Sequence, residues 1–284
     1  MHYTPNQTAD LLTRPLRYLT VDQTDHVLTL TLNRPEKKNA LNPLLLAELA
    51  FAFAYAHHTP EVWVVVLAAA GNVFCAGMDL KALTTGEAEP LNPAIAGGPA
   101  SGQAVPEPAG PVLIGELMAN LHKPCIAQIQ GAVYAGGFLL VGGATYAVAV
   151  EEATFSLPEV KRGLFPFQVL AVLLELMPTR KALDLCLRGR TLTAADALVA
   201  GLVTQVVSAD ELDRTVSTLA NELKQVSPTA LRFGLRAFEE LKNVPGNQQQ
   251  AYLYDQFTQI QQTADAREGM AAFLEKRSPN WQNQ

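Results

Sequence analysis

The chain has 284 residues, 49% hydrophobic and 17% charged, enough for one large folded domain or a large domain with a smaller one, and not the composition of a disordered or fibrous polymer. Its net charge of -6 argues against general nucleic-acid binding, because neutralising phosphates takes a basic surface. The three cysteines, Cys75, Cys125 and Cys186, are far apart, odd in number and without metal-ligand spacing; reduced thiols in a cytoplasmic protein are expected, with no disulfide and no metal.

Residues 1–18 are polar, contain two prolines and lack the apolar segment of a signal peptide. The longest apolar run, 62–70, is far short of the ~18 residues of a membrane span, so no membrane association is expected. Residues 16–21 and 26–32 alternate apolar and polar positions around Gln23, Thr24 and Asp25, which predicts a β-hairpin. Asn33-Arg34-Pro35 ends it. Residues 42–58 carry Leu44, Leu45, Leu49, Ala52 and Phe53 at helical spacing, with Asn42 as N-cap and Pro43 at the first helical position. His57 and His58 close this helix and are read as partners of its C-terminal dipole rather than metal ligands.

The valine-rich run 62–68 predicts a buried strand. It leads into Phe74-Cys75-Ala76-Gly77-Met78-Asp79-Leu80, a strand-to-turn passage of small residues. A second unit repeats the plan: a helix over 112–121, a strand over 125–130, then Gly131-Ala132-Val133-Tyr134-Ala135-Gly136-Gly137 and another helix. A third runs through 146–150 and 153–157. Recurrence at a spacing of roughly sixty residues or less suggests stacked ββα units around one core.

Between these units, 84–110 is dense in Pro, Gly, Ala and Glu without either period. It reads as a loop that either covers a ligand or is a tolerated surface insertion. Residues 179–187 and 193–200 are predicted helices, the second capped by Thr193 and closed by Gly201. From 209 onward the pattern is helical, over 211–226, 228–241 and 248–276. The composition shift there divides the chain into a core, 1–208, and a helical region, 209–284, whose apolar residues need the core or another subunit to cover them.

No GxGxxG, Walker loop, HExxH or Gly-x-Ser-x-Gly elbow is present, which removes the commonest nucleotide, protease and hydrolase signatures. Two Ala-Gly turns at strand ends remain. Small residues there let a ligand approach the backbone, and two converging amides would form an oxyanion hole. The plainer alternative is that Gly77, Gly136 and Gly137 only let helix and strand pack closely.

Five segments in one order decide between these: Asn33-Arg34-Pro35-Glu36-Lys37-Lys38-Asn39-Ala40-Leu41, the run from Phe74 to Leu80, the run from Gly131 to Gly137, Phe155-Ser156-Leu157-Pro158-Glu159, and Arg267-Glu268-Gly269-Met270 through Arg277. Together they resemble the enoyl-CoA hydratase/isomerase (crotonase) family over nearly the whole chain. The resemblance implies an α/β fold, a crotonase-like spiral of ββα units with a C-terminal helical trimerisation region, assembled as a homotrimer or homohexamer. It implies oxyanion amides at Met78 and Gly136 and an acid/base carboxylate at Glu159, with a raised pKa beside an apolar acyl pocket. It further implies acyl-CoA contacts at Lys37, Lys38, Ala40, Ala76, Asp79, Leu80 and Leu139, with Arg34 near the coenzyme. Phe273 and Lys276 match positions of the last helix that close the site, often from a neighbouring subunit. Lys37 and Lys38 read alone are simply a solvated turn. Coenzyme A enters as part of the substrate, and no separate cofactor is required.

The departure from the pattern is Leu139, where two-glutamate hydratases of the family have a second glutamate. A leucine cannot hold the attacking water. Single-glutamate members include enoyl-CoA isomerases, and the Ala135 to Phe138 and Gly163 to Pro166 pieces look like those of hydratases of branched, terpenoid-type enoyl-CoAs. The resemblance therefore implies hydration of a 2-enoyl-CoA, with isomerisation through Glu159 alone or a non-catalytic acyl-CoA-binding role as alternatives.

Overall fold

Leu28, Leu30 and Leu32 are fully buried along β2 (Val27–Leu32), which pairs antiparallel with β1 (Leu19–Thr24). In this computed structural model, which describes residues 1–81 and 105–284, the turn between them is Asp25-His26. Both are at positive φ (46° and 66°), the two-residue geometry whose twist matches its strands. It therefore falls later than the polar cluster around Thr24 suggested.

The remaining strands alternate between two sheets. β3 (Val64–Ala69), β5 (Cys125–Ile129), β7 (Tyr146–Val150) and β10 (Gln205–Val207) join the hairpin in a six-stranded sheet of order β1-β2-β3-β5-β7-β10, parallel from β2 onward. β4 (Val73–Cys75), β6 (Ala132–Tyr134), β8 (Thr154–Ser156) and β9 (Thr191–Thr193) form a four-stranded sheet in that order. The pairs β3/β4, β5/β6 and β7/β8 thus each place one strand in the large sheet and the next in the small one, the ββα repeat expected from the spacing.

Helix α1 (Pro43–His58) is apolar all round, and twelve of its sixteen residues are buried, so it lies inside the molecule rather than on its surface. Asn42 caps it as predicted, its side chain accepting from the Leu45 N–H at 2.9 Å. Glu48 is 2% exposed and takes the N–H groups of Arg17 (2.7 Å) and Tyr18 (2.9 Å); burial pushes its carboxyl up to about 7. At the other end, the ammonium of buried Lys123 donates to the carbonyls of Ala56 and Thr59. His57 and His58 instead approach the carbonyls of Leu121 (3.4 Å) and Tyr3 (3.1 Å). Lys123, whose pKa burial lowers to about 7, thus adds a donor from a distant segment at the end of the helix that carries His57 and His58.

Further helices are α2 (Ile114–Ala119), α3 (Gly137–Gly142), α4 (Phe167–Leu176), α5 (Thr179–Arg188), α6 (Ala194–Ala200), α7 (Leu212–Lys224), α8 (Pro228–Leu241), α9 (Gln249–Ile260) and α10 (Ala264–Glu275). Helix α6 has its Thr193 cap, reciprocated by Asp196, and its closing Gly201 at φ 84°. Helix α7 buries Leu212, Val216 and Ala220, one stripe at i, i+4 spacing, and packs across β3, β5 and β7. Two expectations are corrected. Helix α4 was not predicted, and the single helix over 248–276 is two, because the Thr263 hydroxyl takes the Ala266 N–H at 3.1 Å and starts α10 afresh.

The predicted loop 84–110 lies outside the described residues as far as 104; its remainder, 105–110, has neither helix nor strand. Among the described residues no helix is long and apolar enough to cross a membrane.

Candidate active site

Three adjacent parallel strands of the small sheet end side by side, and the residues just beyond them build the site. Cys75 stands opposite Val133 between β4 and β6, and Tyr134 opposite Ser156 between β6 and β8. Beyond these ends come Ala76-Gly77-Met78, Ala135-Gly136 and Leu157-Pro158-Glu159.

The first two turns touch. Gly77 has φ 82°, and a Cβ there would fall 2.5 Å from the Ala135 Cβ and 2.9 Å from the Gly136 nitrogen, so only glycine permits this approach. Ala135 is itself left-handed, at φ 51°, at a cost of roughly 1 kcal/mol, and its N–H donates to the Ser156 carbonyl at 3.1 Å.

Met78 is bridged to Leu41: the Leu41 N–H donates to the Gly77 carbonyl (2.8 Å) and the Asp79 N–H to the Leu41 carbonyl (3.0 Å). The bridge uses the groups on either side of Met78. Among the described residues the N–H groups of Met78 and Gly136 have no acceptor. The Cβ position of Gly136 lies 3.7 Å from the Met78 nitrogen, so the two free donors flank one spot.

The first turn is tied down from behind. The Cys75 thiol donates to the Asn39 carbonyl (3.3 Å) and takes the Gly77 N–H (3.4 Å); burial pushes it up to about 12 and keeps it a thiol. Buried Asn39, at φ 53°, accepts the Arg34 N–H (2.9 Å) and donates to the carbonyls of Ala70 (2.9 Å) and Val73 (2.8 Å). Arg34 is 3% exposed and ion-paired with Asp79 at 2.8 Å.

Glu159 opens a short 3-10 turn, Pro158–Arg162, closed by Gly163 at φ 75°. The end of α5 braces this turn: a Cβ on Gly189 would sit 2.9 Å from the Leu157 carbonyl. Glu159 is half-buried and its Oε2 is fully buried with no hydrogen-bond partner. Burial raises its pKa, while a backbone hydrogen bond and the Arg162 charge pull the other way.

A cavity of about 760 Å³ joins these parts. Of the residues singled out from the sequence it is lined by Lys37, Ala40, Ala76, Met78, Asp79, Leu80, Gly136, Leu139 and Glu159. Three do not reach it. Lys38 is exposed off its wall, Phe273 is 83% exposed, and Lys276 ends α10 in a left-handed cap. Arg34, weighed as a coenzyme cation, is committed to Asp79 and the Ala40 carbonyl (3.1 Å). Sequence reasoning missed the apolar wall of Val112, Ile114, Phe165, Phe167 and Val169, three of which belong to the unpredicted α4 and the turn before it.

With these turns and this spiral of paired strands, the chain belongs to the enoyl-CoA hydratase/isomerase family, whose model matches residues 22–284, and its fold is the crotonase fold. Among its relatives, the enoyl-CoA hydratase EchA19 of Mycobacterium tuberculosis is 35% identical over 268 residues, covering 93% of this chain and 96% of that protein. The mevalonyl-coenzyme A hydratase sidH of Aspergillus fumigatus is 34% identical over 263 residues, covering 91% and 92%. The crystal structure of an enoyl-CoA hydratase from Mycobacterium smegmatis matches with a TM-score of 0.79 at 30% identity, covering 93% of this chain and 99% of that one.

Proposed function

We propose that the chain hydrates a 2-enoyl-CoA to the 3-hydroxyacyl-CoA with Glu159 as its one acid/base group. The observation that carries this reading is the unpartnered, buried Oε2 of Glu159 in the same cavity as the two acceptor-free amides of Met78 and Gly136. A buried carboxyl oxygen without a partner calls for a reason, and a substrate proton supplies one.

The thioester oxygen accepts from both amides, each contributing ~3 kcal/mol as negative charge grows there. Glu159 takes a proton from water while the water oxygen bonds to C3. The electrons of the double bond move through C2 to the thioester oxygen as an enolate. The protonated Glu159 then returns a proton to C2, so one water is consumed and the enzyme is restored. The hydratase names of the two relatives support this direction.

A second reading rests on Leu139. It is 4% exposed and brings no water-holding group to the cavity, while Asp79 is held by Arg34. Glu159 alone could take a proton from C2 of a 3-enoyl-CoA and return it at C4. The test is a panel of 2-enoyl- and 3-enoyl-CoAs in heavy-oxygen water. Label uptake by 2-enoyl substrates is expected, conversion without label would mean isomerisation, and binding without turnover would leave an acyl-CoA binder.

Lys37 lines the cavity and Lys38 does not, so Lys37 is the lysine expected to meet the coenzyme phosphates. Lys37→Ala is expected to weaken acyl-CoA binding by about fivefold at low salt, less at high salt, and Lys38→Ala to change little. Calorimetric titration checks both; equal effects would redraw the coenzyme path.

Tyr254, Phe257, Met270, Phe273 and Leu274 are exposed on α9 and α10, apolar side chains of the kind that subunit contacts cover. A trimer or hexamer burying it is expected by light scattering, and a stable monomer at micromolar concentration would sink this expectation.

A further inference from the structure

Residues 1–18 precede the part of the chain that the family model matches, yet Tyr3, Thr8, Leu11 and Tyr18 are buried. This segment, with one short helical turn at Pro5–Thr8, is strapped along α1 at both ends. Near its end, Glu48 takes the N–H groups of Arg17 and Tyr18, and the Arg14 guanidinium lies 5.0 Å from the centre of the Phe51 ring. At its start, the Tyr3 ring meets the same Phe51 edge-on, with centroids 5.2 Å apart, and the Tyr3 carbonyl lies 3.1 Å from His58 Nε2.

The Tyr3 hydroxyl points away from α1 and donates to the Pro106 carbonyl at 2.7 Å. Burial pushes it up to about 12, so it keeps the proton it donates. Pro106 belongs to the stretch that returns to the catalytic cavity, where Val112 and Ile114 form part of the apolar wall. Pro106, Pro108 and Pro111 have no N–H to give, and the stretch has neither helix nor strand as far as 113. Among the described residues no other hydrogen bond reaches the backbone of 105–112. The buried Val105 side chain is its other anchor. A cavity of about 420 Å³ separates Met1 and His2 from Ala109, Gly110, Pro111 and Leu113, so close packing does not replace the missing hydrogen bonds there.

We propose that Tyr3 is a positioning residue of the catalytic cavity: its hydroxyl fixes the 105–112 stretch, and through it the wall that Val112 and Ile114 present to the acyl group. The inference rests on the acyl-CoA reading of that cavity. Proline holds φ near one value, so a shift at Pro106 meets fewer free torsions on the way to Val112. The wall is apolar and meets the acyl chain. Met78, Gly136 and Glu159 stand instead on the strand ends of the small sheet, which the strap does not touch. Loosening the wall should therefore weaken acyl binding and spare the chemical step.

The experiment compares wild type with Tyr3→Phe, which keeps the ring against Phe51 and removes only the hydroxyl. Calorimetric titrations of butanoyl-CoA, hexanoyl-CoA and free coenzyme A are read beside kcat and KM for 2-hexenoyl-CoA and beside the melting temperature. Hexanoyl-CoA affinity is expected to fall by about fivefold, the factor one net hydrogen bond is worth, with a matching rise in KM. Butanoyl-CoA should weaken less, while kcat and free coenzyme A affinity stay near wild type and melting falls by no more than a few degrees. Tyr3→Ala, which also takes the ring from Phe51, should move hexanoyl-CoA affinity further in the same direction. Unchanged hexanoyl-CoA affinity in Tyr3→Phe, or an equal loss for free coenzyme A, would overturn the proposal while leaving the catalytic reading intact. Failure of wild type to bind either thioester would instead overturn the acyl-CoA reading beneath it.

Discussion

Glu159→Gln is expected to lower turnover by ~100-fold or more while acyl-CoA affinity stays near wild type, since the change removes a proton acceptor at almost constant volume. Burial raises the pKa of this carboxyl from 4.5, and the base works ionised. The wild-type rate should therefore rise with pH through an apparent pKa above 4.5, and the residual rate of the variant should lose that step.

The sign of the stability effect separates this from misfolding. A carboxyl whose folded pKa is raised favours the native state at low pH and loses that contribution as pH rises through the folded pKa. Glutamine carries no such loss, so at pH 8 the variant should melt at or above the wild-type temperature. A variant with full activity would leave the cavity as a binding site with its chemistry elsewhere, and one inactive only because it melts early would say nothing for Glu159 as a base.

Gly77→Ala should be nearly as damaging by a different route. At φ 82° an alanine costs roughly 1–2 kcal/mol, and its methyl would lie 2.5 Å from the Ala135 Cβ. The two turns must separate to admit it. Because the free amides of Met78 and Gly136 belong to those turns, kcat is expected to fall by about 100-fold, the effect of losing one oxyanion donor, with a melting temperature lower by several degrees. Wild-type kcat in a variant that melts early would show that the turns do not need this spacing.

What could be read from the sequence was local. The Asn42 and Thr193 caps, the paired Ala-Gly turns and the Pro-Glu step at 158–159 depend on residues within a few positions of one another, and these elements stand where they were predicted. Helix α4 escaped because Gln168 and Glu175 are the only polar residues from Phe167 to Leu176, too few to make a helical period legible. Lys123 escaped because it reaches α1 from 67 positions away, and the Arg34–Asp79 pair because its partners are 45 apart. Phe273 and Lys276 matched a family pattern, yet α10 carries them away from the cavity of their own chain. Their distance from it is set by how helices pack, which no local signal encodes.

The large sheet has a consequence for how the chain comes off the ribosome. Each parallel neighbour is reached only after an intervening crossover, the kind of topology that folds slowly. The last pairing, β10 on β7, waits for residues 205–207, together with Thr204, whose hydroxyl and amide engage Ala147. At about 5–20 residues per second of synthesis, the outer edge of β7 stays open for some seconds after β7 itself is made. During that interval an edge of sequence Tyr-Ala-Val-Ala-Val offers its unpaired N–H and C=O groups to any passing strand. A nascent chain arrested short of residue 205 is therefore expected to keep this edge open, and the residues that finish the sheet are also those that close it.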